Sequence, residues 1–284
     1  MRSSHPRKHH ARHLLCLTAL VCFVAGGTAY ACTRKAAVPQ LPELPAESIA
    51  QAASTLPDTP VQQPAENGAQ QSVLTAAQAQ ALLDDPRMIL VNRAHPITED
   101  YPVETKECGS ATAINKTLQT EAANAFLSMQ AAAAKDGVDV RMQSGYRSVA
   151  YQTKLYEKKT QYYRDKGFEE AAAREKAAAI VNPPGYSEHN CGLAADLNSP
   201  EHTTLDTGFA DTAAFRWLCE NAEQYGFILR YPKEAESVTG ITYEPWHWRY
   251  VGPENAALLN QSGLCLEDAV AVLQRIAAGE TVTG

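Results

Sequence analysis

The sequence predicts an α+β domain with a small, mainly antiparallel sheet flanked by helices. Two observations carry this. Helical and strand patterns alternate between about residues 88 and 277 without the regular strand–helix–strand rhythm of a doubly wound sheet. The strand stretches are also few and short.

Taken in order, Ala76–Leu83 reads as a short helix. The apolar run Met88-Ile89-Leu90-Val91 opens the folded body. Lys116–Lys135 is Ala-rich with apolar residues near helical spacing, and Asp136-Gly137 stops it. Val138–Met142 alternates as a strand does. Ser148–Lys166 and Glu169–Ile180 read as helices, the second ended by Asn182-Pro183-Pro184-Gly185. Leu193–Leu197 is a short strand. Thr212–Tyr225 is a helix stopped by Gly226, and Phe227–Tyr231 is a strand. Trp246–Val251 is extended, and Pro253–Asn260 and Leu266–Ala277 are helices.

The flanks divide the 284 residues further. Residues 1–31 start basic and His-rich, turn apolar from Leu14, and end Ala29-Tyr30-Ala31. That is the layout of an export signal, and its 18 apolar residues also fit an uncleaved membrane anchor. Cys32 follows directly, free or lipid-modified. Residues 32–85 form a tether, with six prolines between Pro39 and Pro64 and little apolar material to bury. The folded domain is expected over 86–284. Either reading of the N-terminus puts the body outside the cytoplasm, touching the membrane only through that segment.

The formal charge is −7, and the chain beyond residue 31 carries 21 basic against 32 acidic residues. An acidic body argues against a partner recognised by its phosphate backbone, so no nucleic acid is expected. Past the apolar segment and Cys32, Cys108, Cys191, Cys219 and Cys265 make an even number in an oxidising place, with three pairings open.

Beyond residue 31 the histidines are His95, His189, His202 and His247. His189 and Asp196 lie seven apart, a separation that points side chains to opposite faces of one straight strand, and Gly192 between them offers a bend. Imidazole and carboxylate suit zinc; a capping Asp with a hydrogen-bonded His reads the same residues without metal. In Glu244-Pro245-Trp246-His247-Trp248-Arg249-Tyr250, alternation puts His247 and Arg249 opposite Trp246, Trp248 and Tyr250. A ligand from His247 would complete His-Asp-His and leave a position for water, with Glu244 free to take a proton. An aromatic core strand with an incidental His is the plainer reading. Glu188 reads as a solvated charge, and Cys191 as a disulfide or small packed residue.

Together, Ser187, His189, Gly192, Ala194 and Asp196, followed by Glu244, Trp246 and His247, resemble the pattern S-x-H-x-x-G-x-A-x-D then E-x-W-H of VanY-type zinc D-alanyl-D-alanine carboxypeptidases. Ser144-Gly145-Tyr146-Arg147-Ser148 with Gln152 resembles the same family's S-G-Y-R-S-x-x-x-Q block, and Leu90-Val91-Asn92-Arg93 with Pro96 and Tyr101 its opening segment. The resemblance runs from about Ile89 to Gln261 and implies the hedgehog/DD-peptidase fold. It implies one zinc ion per chain, held by His189, Asp196 and His247. It makes Glu244 the general base and proton donor, and Arg147 the stabiliser of the carbonyl oxygen's developing charge. Ser187 and Gln152 would hold the substrate, with Tyr146 and Trp246 lining its site. The implied reaction is removal of the terminal D-alanine from a peptidoglycan stem peptide by attack of zinc-bound water. L,D-carboxypeptidase action on tetrapeptide stems is the nearest alternative. A zinc-containing wall-binding module is another, against which Glu244 argues, because a structural site needs no base. A monomer is expected.

Overall fold

The computed structural model describes residues 74–281. The export segment, Cys32 and the 33–73 part of the tether lie outside the described residues.

Helix α1 (Ala76–Leu83) begins at a capping box. The Gln78 N–H donates to the Thr75 hydroxyl, and the Thr75 N–H donates to the Gln78 side chain. A 3₁₀ turn at Pro86–Met88 follows. Strands β1 (Thr105–Glu107) and β2 (Thr117–Gln119) pair antiparallel. Next come α2 (Thr120–Lys135), β3 (Arg141–Ser144), and the neighbouring helices α3 (Val149–Asp165) and α4 (Glu170–Ala178). Strand β4 (Ala194–Asn198), α5 (Ala213–Asn221), β5 (Phe227–Leu229) and β6 (His247–Tyr250) complete the centre, and α6 (Pro253–Ser262) and α7 (Leu266–Ala277) end the described chain. The main sheet has strand order β3-β4-β6-β5, antiparallel throughout.

That sheet separates two environments. Ala195, Leu197, Trp248, Tyr250 and Phe227 turn into a core with Phe126 and Met129 of α2 and Phe215 and Leu218 of α5. Asp196, His247 and Arg249 alternate onto the opposite face. Toward one end that face meets a second apolar cluster. There, Ile228 and Val251 pack with Leu266, Leu273 and Ile276, the buried stripe of α7.

Several boundaries differ from the sequence expectations. The helix expected from Lys116 starts at Thr120, because Thr117–Gln119 joins β1 and buries Leu118 completely; Gln119 then caps the helix through its side chain. The strand expected at Val138–Met142 sits at Arg141–Ser144, because Val138 is still closing α2 by donating to the Ala133 carbonyl. The helix expected through Tyr225 breaks at Asn221 into a 3₁₀ turn ended by Gly226 at φ 79°. Strand β1 has no counterpart in the sequence pattern: Thr-Lys-Glu is wholly exposed and carries no apolar alternation. The expected start of the body at residue 86 falls late. Leu74, at 5% exposure, and Ala79 of α1 are buried in the second cluster, and α1 packs against α7. No disulfide of the three pairings forms, since Cys108, Cys191 and Cys265 are buried free thiols. Among the described residues no single helix is long and apolar enough to cross a membrane.

Candidate active site

The β4–β6 ladder sets Asp196 directly opposite His247, and β3 sets Ser144 opposite Asp196 on the other side. Cross-strand partners share a face, so the carboxylate and the imidazole meet. His189 arrives from the 3₁₀ turn Glu188–Cys191 that precedes β4. Gly192 turns the chain at φ 74°, where a Cβ would also stand 2.9 Å from Val103 Cγ1 and 3.0 Å from Gln119 N. The bend that the seven-residue spacing required is therefore built here, and the close backbone leaves room only for glycine.

His189 Nε2 lies 3.2 Å from Asp196 Oδ2, and His247 Nδ1 lies 3.2 Å from Asp196 Oδ1. One atom from each of the three residues lies within 4.8 Å of the others, and all three side chains are buried. His189 Nδ1 sits 2.7 Å from the Gly145 carbonyl, so it carries the proton and leaves Nε2 as a lone pair. That Nε2 is buried and has no hydrogen-bond partner. An orphaned imidazole nitrogen aimed at a carboxylate and a second imidazole is the donor set of a borderline divalent cation, and zinc fits it.

The electrostatics divide the residues. Burial, reinforced by the Arg147 guanidinium, pushes His189 down to about 4, keeping it neutral. His247 also suffers burial, but the Asp196 and Glu188 carboxylates outweigh it and raise it to about 9. Despite its own burial, Asp196 is held well below the usual carboxylate range by the two histidines. Glu244 lies with Oε2 3.7 Å from His247 Nδ1, and burial lifts it to about 7.

Arg147 reaches the same point from the loop after β3. Its Nη2 donates to Asp196 Oδ2 and its Nη1 to Gln152 Oε1, both at 3.2 Å. The loop is clipped to the His189 turn by the Arg147 N–H donating to the His189 carbonyl, and by Asn190 donating to the Arg147 carbonyl. Gln152 is fixed by donating to the Asn182 carbonyl at 2.6 Å. These residues floor a cleft of about 390 Å³, also lined by Ser187, Glu244, Trp246 and Tyr231, within the usual size range of small-ligand sites. Tyr146 does not line it; its N–H donates to the Thr117 carbonyl, and the residue serves the loop instead. His95 and His202 stand apart, bonded to Asn92 and to Asp206 and Thr204.

A family model described as VanY, D-alanyl-D-alanine carboxypeptidase, matches residues 115–253. A D-alanyl-D-alanine carboxypeptidase of Enterococcus faecalis is 36% identical over 200 residues, which are 70% of this chain and 71% of that one. The chain belongs to the VanY family. The putative carboxypeptidase YodJ of Bacillus subtilis is 37% identical over 160 residues, covering 56% of this chain and 55% of that one. Among solved structures, a VanY D,D-pentapeptidase variant in complex with Zn(II) aligns at TM-score 0.55 with 36% identity, covering 65% of this chain and 98% of that one. The LD-carboxypeptidase LdcB aligns at TM-score 0.57 with 32% identity, covering 68% and 87%. The α+β fold is thus the hedgehog/DD-peptidase fold that the sequence pattern of this VanY relative implies.

A second residue, after Tyr146, departs from its sequence reading. Glu188 is not solvated: its side chain has no exposure and lies between Arg230 and Arg249, which are also fully buried. A signal for it exists. Arg249 stands between Trp248 and Tyr250, and Arg230 follows Phe227-Ile228-Leu229. Charges inside aromatic and aliphatic strands demand a buried counter-charge.

Proposed function

We propose that this chain is a zinc-dependent D-alanyl-D-alanine carboxypeptidase that removes the terminal D-alanine of peptidoglycan stem peptides. The carrying observation is the buried His189–Asp196–His247 triangle on the floor of a cleft with Glu244 beside it. In this reading His189 Nε2, an Asp196 carboxylate oxygen and His247 Nδ1 hold one zinc ion per chain. Zinc, when bound, supplies Lewis-acid chemistry: it polarises a carbonyl oxygen and makes water a nucleophile near neutral pH. Glu244 takes the proton of the attacking water and returns it to the departing amine nitrogen; a carboxyl titrating near 7 suits both tasks. The Arg147 guanidinium, already held by Asp196 and Gln152, offers hydrogen bonds where negative charge develops on the scissile carbonyl oxygen. Ser187 and Gln152, on the cleft wall, bind the peptide or its terminal carboxylate, and Trp246 shapes the wall.

A wall substrate places the reaction outside the cytoplasm. Residues 1–31 are then the export signal or anchor, the segment up to about residue 73 gives the domain reach, and the enzyme works as a monomer. Limited proteolysis should cut within residues 33–73 and leave a stable fragment that retains α1.

The test of function is mass spectrometry of stem peptides incubated with the zinc-loaded protein. Pentapeptide ending in D-Ala-D-Ala should lose one alanine while tetrapeptide persists. Loss of alanine from tetrapeptide alone would identify an L,D-carboxypeptidase, and cleavage of neither would reject the enzyme.

A further inference from the structure

We infer that Glu188 is a positioning residue for His247, locking the ring so that its Nδ1 faces the metal; this rests on the reading of His247 as a zinc ligand. Glu188 Oε1 accepts from Arg230 Nε and from Arg249 Nη1, each at 2.8 Å. Its Oε2 accepts nothing, and the buried His247 Nε2 likewise has no hydrogen-bond partner. These two orphaned atoms lie 3.6 Å apart. Leaving either group unpaired in the interior costs about 1–3 kcal/mol. A carboxylate kept only to neutralise the two arginines has no reason to leave one oxygen unspent beside an unspent imidazole nitrogen.

The carboxylate cannot swing away. Arg249 donates onward to the carbonyls of Arg87, Ile89 and Tyr250. Arg230 grips Glu267 of α7 through both terminal nitrogens, at 2.8 and 2.6 Å, and Asn92 also donates to Glu267. Glu188 is thereby held from the residue after β5, from β6, from α7 and from the segment after α1. Glu188 and Glu267 match Arg230 and Arg249 in charge, so the cluster is neutral without any proton from the histidine. In the neutral ring that a metal would require, a carboxylate facing Nε2 keeps the proton there and leaves the lone pair on Nδ1, where Asp196 and Glu244 lie. Hydrogen-bonded partners of this kind fix the tautomer of a ligand histidine and raise its basicity, and removing one typically costs about 10–100-fold in metal affinity.

The test is Glu188→Gln, read by zinc affinity in chelator competition and by the ¹⁵N signature of the His247 tautomer. The two arginines retain the Gln oxygen, so its NH2 faces His247 Nε2 and moves the ring proton to Nδ1. A zinc Kd raised about 10–100-fold, with a shifted tautomer in a protein that melts normally without zinc, supports the inference; recovery in Glu188→Asp strengthens it. A folded Glu188→Gln with unchanged zinc Kd and tautomer overturns it. If Glu188→Gln does not fold, Glu267→Gln substitutes, expected to weaken zinc binding in the same direction and less; no change in either readout overturns the inference. Failure of the underlying reading looks different: His247→Ala would then bind zinc as tightly as the unaltered chain.

Discussion

Glu244 and Glu188 stand on opposite sides of the His247 ring, 3.7 Å from Nδ1 and 3.6 Å from Nε2. They share a side-chain type and little else. Glu188 has no exposure and two arginines in contact, and although burial opposes its charge, those cations hold its carboxyl far below the usual range. Glu244 keeps 23% exposure on the cleft, has no arginine hydrogen-bonded to it, and is raised to about 7 by burial. Environment rather than residue type assigns the tasks: one carboxylate stays permanently charged, and the other is poised to exchange a proton.

The largest effect that could break this comparison is loss of the metal. A strong chelator should abolish turnover and added zinc should restore it, and His247→Ala should lose zinc and activity together; metal analysis beside the assay checks both. Next is Glu244→Gln. It keeps shape but cannot accept a proton, so kcat should fall by about 10²–10⁴-fold while zinc content and melting temperature stay near those of the unaltered chain. Near-normal turnover would mean that the two carboxylates have been given the wrong roles. Arg147→Ala should follow, with a loss of about 10²–10³-fold, in kcat more than KM, provided zinc content is retained.

The smallest effect sharpens the contrast through pH. A carboxyl whose folded pKa lies above its unfolded value favours the protonated form in the fold. Its contribution to stability is therefore full below the unfolded value near 4.5, and it is lost as pH rises toward about 7. In chelator, the advantage of Glu244→Gln over the unaltered chain should grow across that window, by at most about 1.4 kcal/mol for each step of one in pH, and flatten above it. Paired melting curves at pH 5 and pH 8 measure this directly.

Much of the site was legible because its chemistry is scarce. With His189 and His247 lying in polar-aromatic blocks and an acid near each, spacing and the Gly192 bend offered a metal site beside plainer readings, and the resemblance to the family's ordered motifs is what implied the triangle. Helix α7, carried by apolar periodicity, was legible to the residue. What stayed hidden has a common cause. The exposed Thr-Lys-Glu of β1 has no pattern to read, and the Thr-Leu-Gln of β2 becomes a strand only because β1 is beside it. Glu188 looks solvated until Arg230 and Arg249, 42 and 61 positions away, are brought to it. The attachment of α1 depends on α7, at the far end of the chain.

The pairing of Asp196 with His247 joins residues 51 positions apart, and this bears on the order of events in folding. Closing so long a loop has to precede any contact that rewards it, and such non-local pairings form late. An ion that needs all three proposed ligands therefore has no complete site until the sheet is assembled, and it cannot template the chain. Refolding should proceed at the same rate with or without zinc, whereas unfolding should slow when zinc is present, because the ion's whole contribution falls on the native side of the barrier.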